Sequence, residues 1–251
     1  MNIRLTDRGP HIAVVTIDNP PKRNAMTRGM LGELARLWAE LAAGPHRCIV
    51  LTGAGERAFT SGADLGGDLS VSPAMARQVN DALLKTRAYP KPIVAAVNGD
   101  CVAGGVELLL STDIRIAAAH ARFGLPEVKW GVYPFGGATV KLWSQIGYAR
   151  AMDLLLTGRL IGADEAASLG LVNRVVPGEA VMAEALAVAE AIAANSPAAV
   201  QAVKRQVSGI LAEAAAAREA MEQALGDGVR ASPDFKEGVA AFLEKRAPRY
   251  A

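Results

Sequence analysis

The stretch IVAAVNGDCVAGGVELLLSTDIRIAAA, residues 93–119, runs from an all-apolar segment through glycine turns into a helix and then a second extended segment. Ile93 to Val97 carries no polar residue, which is the pattern of a strand buried on both faces, as parallel sheets use. Asn98-Gly99 ends that strand, the pair Gly104-Gly105 follows, a helix is expected from about Gly104 to Ser111, and DIRIAAA at 113–119 is β-like again. Working outward, Cys48 to Leu51 is another short apolar strand, running into Gly53. Residues 3–7 and 11–17 with Gly9-Pro10 between them predict an opening hairpin. Leu31, Leu34, Leu37, Trp38 and Leu41 predict a helix from Thr27 to the stop at Gly44-Pro45. This alternation, up to about residue 125, predicts an α/β protein of stacked βαβ units.

Beyond Gly136 the pattern becomes almost purely helical. One apolar stripe is Val200, Val203, Val207, Ile210 and Leu211, and another is Phe235, Val239, Phe242 and Leu243. The expected organisation is an α/β core over residues 1–190 and a helical region over 191–251. Ser72-Pro73, Ser196-Pro197 and Ser232-Pro233 each put a capping hydroxyl before a proline at the first helical position. No fixed-period self-similarity is evident.

Composition narrows the class. The 251 residues carry 27 basic and 25 acidic side chains, with 51% hydrophobic and 21% charged residues, so disorder is excluded. A formal net charge of +2 gives no basic stripe, and nucleic acid is not an expected partner. No apolar run approaches a bilayer span, since even 93–110 holds Asn98, Asp100 and Glu107. The opening MNIRLTDRGPHI lacks the apolar block of a signal peptide, and a cytoplasmic location is expected. Cys48 and Cys101 make neither a metal nor a redox spacing, and no metal site is expected.

Several chemical motifs fail on inspection. LTGAGERA at 51–58 imitates a dinucleotide fingerprint, but Phe59, Thr60, Ser61 and Gly62 follow where a helix should open. Ser61 has Phe59 where a nucleophile elbow needs glycine. His11, His46 and His120 lie at turns or strand ends and read as boundary residues.

Two glycine turns remain, AFTSGADL at 58–65 and NGDCVAGGVELL at 98–109, each following a buried strand. They are either structural β–α turns or backbone exposed to a ligand. If Gly104 opens the helix, its N–H is an unsatisfied donor at a positive helix end, and an N–H near Ala63 would complete a two-donor oxyanion hole. Glu107 sits in the first turn of that helix among Val106, Leu108, Leu109 and Leu110. It is a helix-dipole partner or a partly buried general acid or base. Glu127, in FGLPEVKWG, reads by itself as a solvated loop glutamate and is the second candidate.

AFTSGADL, NGDCVAGGVELLLSTDIRIAA and ARFGLPEVKWGVYPFGG together resemble the crotonase superfamily, the enoyl-CoA hydratase/isomerase family. FKEGVAAFLEKRAP at 235–248 is similar to the family's terminal helix, and PKRNAM at 21–26 resembles its early CoA-contacting segment. The resemblance implies a crotonase-like spiral of ββα units with a helical C-terminal region that packs a homotrimer, or a hexamer as a dimer of trimers. It implies acyl-CoA thioester substrates, with coenzyme A as part of the substrate and no separate cofactor. It implies an oxyanion hole from the N–H groups of Ala63 and Gly104, with Glu107 and Glu127 as the catalytic glutamates. Arg23, Ala25, Asp64 and Leu65 fall where the family lines the CoA moiety, and Lys245 where some members offer a cation to a CoA phosphate.

Phe135 departs from the family pattern, where glycine is common. With Tyr133 and Trp130 it predicts an aromatic wall shaping the acyl pocket, the alternative being an aromatic patch at a subunit contact. Having both glutamates favours hydration of an enoyl-CoA by a hydro-lyase. The rival readings are an enoyl-CoA isomerase, a dehydratase or hydrolase of other acyl-CoA esters, and a non-catalytic acyl-CoA-binding protein.

Overall fold

The computed structural model describes residues 1–64 and 72–250. The chain opens with β1 (Asn2–Arg8) and β2 (Ile12–Asp18), an antiparallel pair turning at Gly9-Pro10. Helix α1 (Arg28–Ala43) follows, capped by Thr27 Oγ1, which accepts from Met30 N at 3.3 Å. Its buried face is Leu31, Leu34, Leu37, Trp38 and Leu41, the stripe read from the sequence. Each such side chain taken fully out of water contributes about 1.5–3 kcal/mol.

Three successive units then build the spiral. β3 (Cys48–Gly53), β4 (Ala58–Thr60) and α2 (Pro73–Ala82) form the first, and β5 (Ile93–Val97), β6 (Asp100–Val102) and α3 (Gly104–Leu109) the second. The third consists of β7 (Ile114–Ala118), β8 (Arg122–Gly124) and a 3-10 helix, Pro126–Trp130. The first strand of each unit joins one sheet and the second joins another, so the chain turns a corner within every unit. The units begin at unequal intervals along the chain, which explains why no sequence period is visible.

Helices α4 (Ala138–Ile146) and α5 (Tyr148–Thr157) come next, then β9 (Leu160–Gly162), α6 (Ala163–Ser168), β10 (Arg174–Val176) and α7 (Val181–Ala193). The chain finishes with α8 (Pro197–Ala231) and α9 (Pro233–Glu244). The larger sheet has the order β1-β2-β3-β5-β7-β10 and is parallel after the first pair, and the smaller has the order β4-β6-β8-β9. β9 and β10 correct the expectation of nearly pure helix after Gly136. Each is three residues long and is held in place by a neighbouring strand rather than by its own pattern.

The core lies on the large sheet, where Ile93 to Val97 are fully buried, with α7 against β3, β5 and β7. All three Ser-Pro starts fold as read: Ser72, Ser196 and Ser232 accept from Met75, Ala199 and Phe235 N–H. No helix opens after β3, so the dinucleotide-like glycines are a plain turn. Among the described residues no single helix is long and apolar enough to cross a membrane.

Candidate active site

The site is built where neighbouring strands of the smaller sheet end. β4 and β6 run parallel and side by side. The turn after β4 carries Gly62 and Ala63, and the turn after β6 carries Ala103 and Gly104. Met26 N donates to Gly62 O at 2.8 Å and Asp64 N donates to Met26 O at 3.0 Å, a parallel bridge that leaves the intervening Ala63 N–H outside it. Ala103 is held at φ 55°, ψ −128°, a conformation that costs a residue with a Cβ about 1–3 kcal/mol. That strained corner turns Gly104 N–H out at the start of α3. Among the described residues neither amide has an acceptor.

The two turns are in contact. Gly62 has φ +85°, and a Cβ there would stand 2.7 Å from Gly104 N, so the corner accepts no larger residue. The Cβ direction of Gly104 points to within 3.6 Å of Ala63 N and 3.9 Å of Glu107 Oε2. Two free amides and one carboxylate therefore converge on the same small space.

Glu107 is 5% exposed, although it stands in the first turn of α3. Its Oε1 accepts from Ala138 N at 3.3 Å, and it also accepts from Gly136 N–H. A Cβ on Gly136 would lie 2.3 Å from Glu107 Oε2, so this glycine leaves room for the carboxyl. Burial pushes its proton affinity up, against the pull of these amides and of Lys85.

Glu127 is 8% exposed on the 3-10 helix, which corrects the reading of a solvated loop glutamate. Its burial comes from tertiary packing: α9 lies over this segment, with Trp130 and Phe242 edge to face at 5.2 Å and Tyr250 OH donating to Lys129 O at 2.8 Å. Its Oε2 has no hydrogen-bond partner among the described residues. Burial raises its proton affinity first, and the charge of Glu107 raises it further, so the two carboxyl groups are electrostatic neighbours. A buried carboxyl with an empty acceptor costs stability unless something polar comes to meet it.

The early segment packs along the first turn. Arg23 and Asn24 both adopt left-handed backbone, φ 52° and 56°. Asn24 is buried and its Nδ2 donates to Ala54 O and Ala58 O at 3.0 and 2.7 Å, while Asn19 Nδ2 donates to Ala25 O at 2.8 Å. These two asparagines fix Arg23 and Ala25 beside Ala63. The sequence reading missed them; for Asn24 the available signal was that asparagine tolerates the left-handed region better than most residues. Asp64 is paired with Lys22 at 2.6 Å. Leu65 lies outside the described residues. Lys245 ends α9, exposed.

The three aromatics do not act as one wall. Trp130 is engaged by α9, as above. The Tyr133 hydroxyl donates to Thr139 Oγ1 at 3.3 Å, and Phe135 lies under the Arg230 guanidinium at 5.3 Å, so only these two face α8.

Residues 7–251 match the enoyl-CoA hydratase/isomerase family. The chain belongs to that family. Among curated relatives, the enoyl-CoA hydratase EchA19 of Mycobacterium tuberculosis is 43% identical, the match covering 98% of this chain and 95% of the relative. The mevalonyl-coenzyme A hydratase SIDH of Beauveria bassiana is 40% identical over 95% of this chain and 91% of its own. Among solved structures, an enoyl-CoA hydratase/isomerase from Pseudoalteromonas atlantica superimposes with a TM-score of 0.89 at 34% identity, covering 99% of both chains. The two-sheet spiral described above is the crotonase fold. Within this enoyl-CoA hydratase/isomerase family member, the amides of Ala63 and Gly104 and the carboxyl groups of Glu107 and Glu127 come from three successive units of the spiral.

Proposed function

We propose that the protein is an enoyl-CoA hydratase, a hydro-lyase that adds water across the α,β double bond of an acyl-CoA thioester. The observation that carries this reading is the convergence of Glu107, its electrostatic neighbour Glu127 and the unpaired amides of Ala63 and Gly104. Addition at the β-carbon drives negative charge onto the thioester oxygen, and the two amides are the donors for it. Losing one such donor typically costs about 10²–10³ in rate.

Glu107 is the base, because two backbone amides bond its ionised form. It takes a proton from water as the hydroxyl oxygen bonds to the β-carbon. Glu127, whose nearest charge is a carboxylate, stays protonated and delivers its proton to the α-carbon. The proton then passes from Glu107 to Glu127, and the pair is restored. Coenzyme A enters as part of the substrate, along Arg23, Ala25, Asp64 and Leu65. Tyr133 and Phe135 border the acyl group, with Phe135 limiting its length. The protein works in the cytoplasm as a trimer or as a dimer of trimers.

The test is the loss of ultraviolet absorbance when a conjugated enoyl-CoA is added. Glu107→Gln and Glu127→Gln are expected to lose turnover by orders of magnitude while still binding the ester. Near-parental turnover in either variant would defeat the assignment. Activity confined to a β,γ-unsaturated ester would make the protein an isomerase instead.

A further inference from the structure

A second set of buried charges lies beside the glutamates and takes no part in the steps above. Lys85 follows α2 with its side chain 1% exposed, and its Nζ stands 2.6 Å from Glu219 Oε2 and 3.0 Å from Glu222 Oε2 on α8. Glu222 is itself buried and accepts from the hydroxyl of Thr139 on α4, which in turn accepts from Tyr133. The Lys85 side chain passes Gly137, where a Cβ would lie 3.2 Å from its Cγ. The preceding residue, Gly136, is the one that faces the Glu107 carboxyl. Two successive glycines of one turn thus touch Glu107 on one side and Lys85 on the other.

We propose that Lys85 is a positioning residue for the reaction, its buried ammonium, anchored by Glu222 and Glu219 of α8, holding Glu107 in the ionised form that a base requires. The inference rests on the base role given to Glu107 above. Desolvation offsets much of the attraction in a buried ion pair, so this one is weak evidence of added stability, and its place beside Glu107 gives it a role in ordering neighbouring charge. Within the site Lys85 draws the proton affinity of Glu107 down and Glu222 pushes it up. The other ionisable groups facing Glu107 are Glu127, Tyr133 and Lys141. Lys141 is committed elsewhere, its Nζ donating to Leu84 O and Ser111 Oγ at 2.9 Å each, and burial lowers it to about 8. Of the two lysines beside Glu107, Lys85 is the one paired with carboxylates.

The experiment uses the full chain and two readouts. One is the infrared titration of the Glu107 carboxyl stretch without substrate, assigned by its absence in Glu107→Gln. The other is the acid limb of kcat/KM for a conjugated enoyl-CoA. Lys85→Met is expected to move both midpoints up by about one pH unit, and Glu222→Gln to move both down. Lys85→Arg keeps the parental midpoints, and the paired variant Lys85→Met/Glu222→Gln returns close to them. A general loosening of the site would shift the two single variants alike, which would overturn the inference, as would unmoved infrared midpoints. If Lys85→Met does not fold, Glu222→Gln and the paired variant carry the same test. An infrared midpoint that moves while the rate limb stays fixed would instead remove the base role from Glu107.

Discussion

A carboxyl whose proton affinity rises on folding makes stability depend on pH in a definite direction. Unfolded, Glu127 titrates at about 4.3. Folded, burial and the neighbouring Glu107 raise it. The native state therefore holds more protons between the two values, and the contribution of the neutral carboxyl, complete below the unfolded value, is lost as pH rises through the folded one. Glu127→Gln is expected to melt close to the parent at pH 4 and above it at pH 8.5, by on the order of 2–4 °C for each kcal/mol relieved. Scanning calorimetry at both pH values checks this, and equal differences at the two would contradict the burial argument. At the same scale, Glu107 was legible in the sequence because a lone carboxylate in an apolar helix run signals burial. Glu127 was named as a candidate but its burial was not legible, and Asn24, Lys85 and Glu222 were not read at all, because what buries such residues is distant in the chain: α9 covers Glu127, and α8 meets Lys85.

Elements were legible in proportion to their length and to their stop and start signals. The helix starts at Ser72, Ser196 and Ser232 could be read because capping is a local interaction between a hydroxyl and an N–H three residues on. β4, β6 and β8 are three residues each, shorter than any alternation that could reveal them; β4 and β6 fell within stretches read as glycine turns, and β8 was assigned no element. They exist because the longer strand before each one fixes where the chain must turn. The cap at Ser232 carries a stability prediction, since its Oγ accepts from Phe235 N at 3.3 Å. Ser232→Ala is expected to cost about 1 kcal/mol in urea unfolding. Because α9 packs over the Glu127 segment, kcat should fall as well, whereas Ser196→Ala, remote from that packing, should lower stability alone.

For the whole molecule, the sequence carried the α/β class and the resemblance carried the spiral, while the division of each unit between two sheets could be seen only in three dimensions. The helical end leaves Val203, Val207 and Ile210 more than half exposed on α8, at 66%, 61% and 62%. Apolar side chains spaced on one helix face in this way suit contact with another copy of the chain. The expected outcome of sedimentation is a species of three or six chains, reduced in size by Val207→Asp; a monomeric parent would contradict the trimer.

The turns bearing Ala63 and Gly104 leave strands that are hydrogen-bonded neighbours. The placement of the two turns beside each other is therefore set first by the pairing of β4 with β6, and then by the absence of a side chain at Gly62. Under the proposed chemistry, the peptide backbone itself would then be the ruler for the substrate oxygen. Divergence toward new thioesters would then be written in the opposite wall, at Tyr133 and Phe135 and the α8 residues that face them, while Gly136, which leaves room for the Glu107 carboxyl, stays fixed.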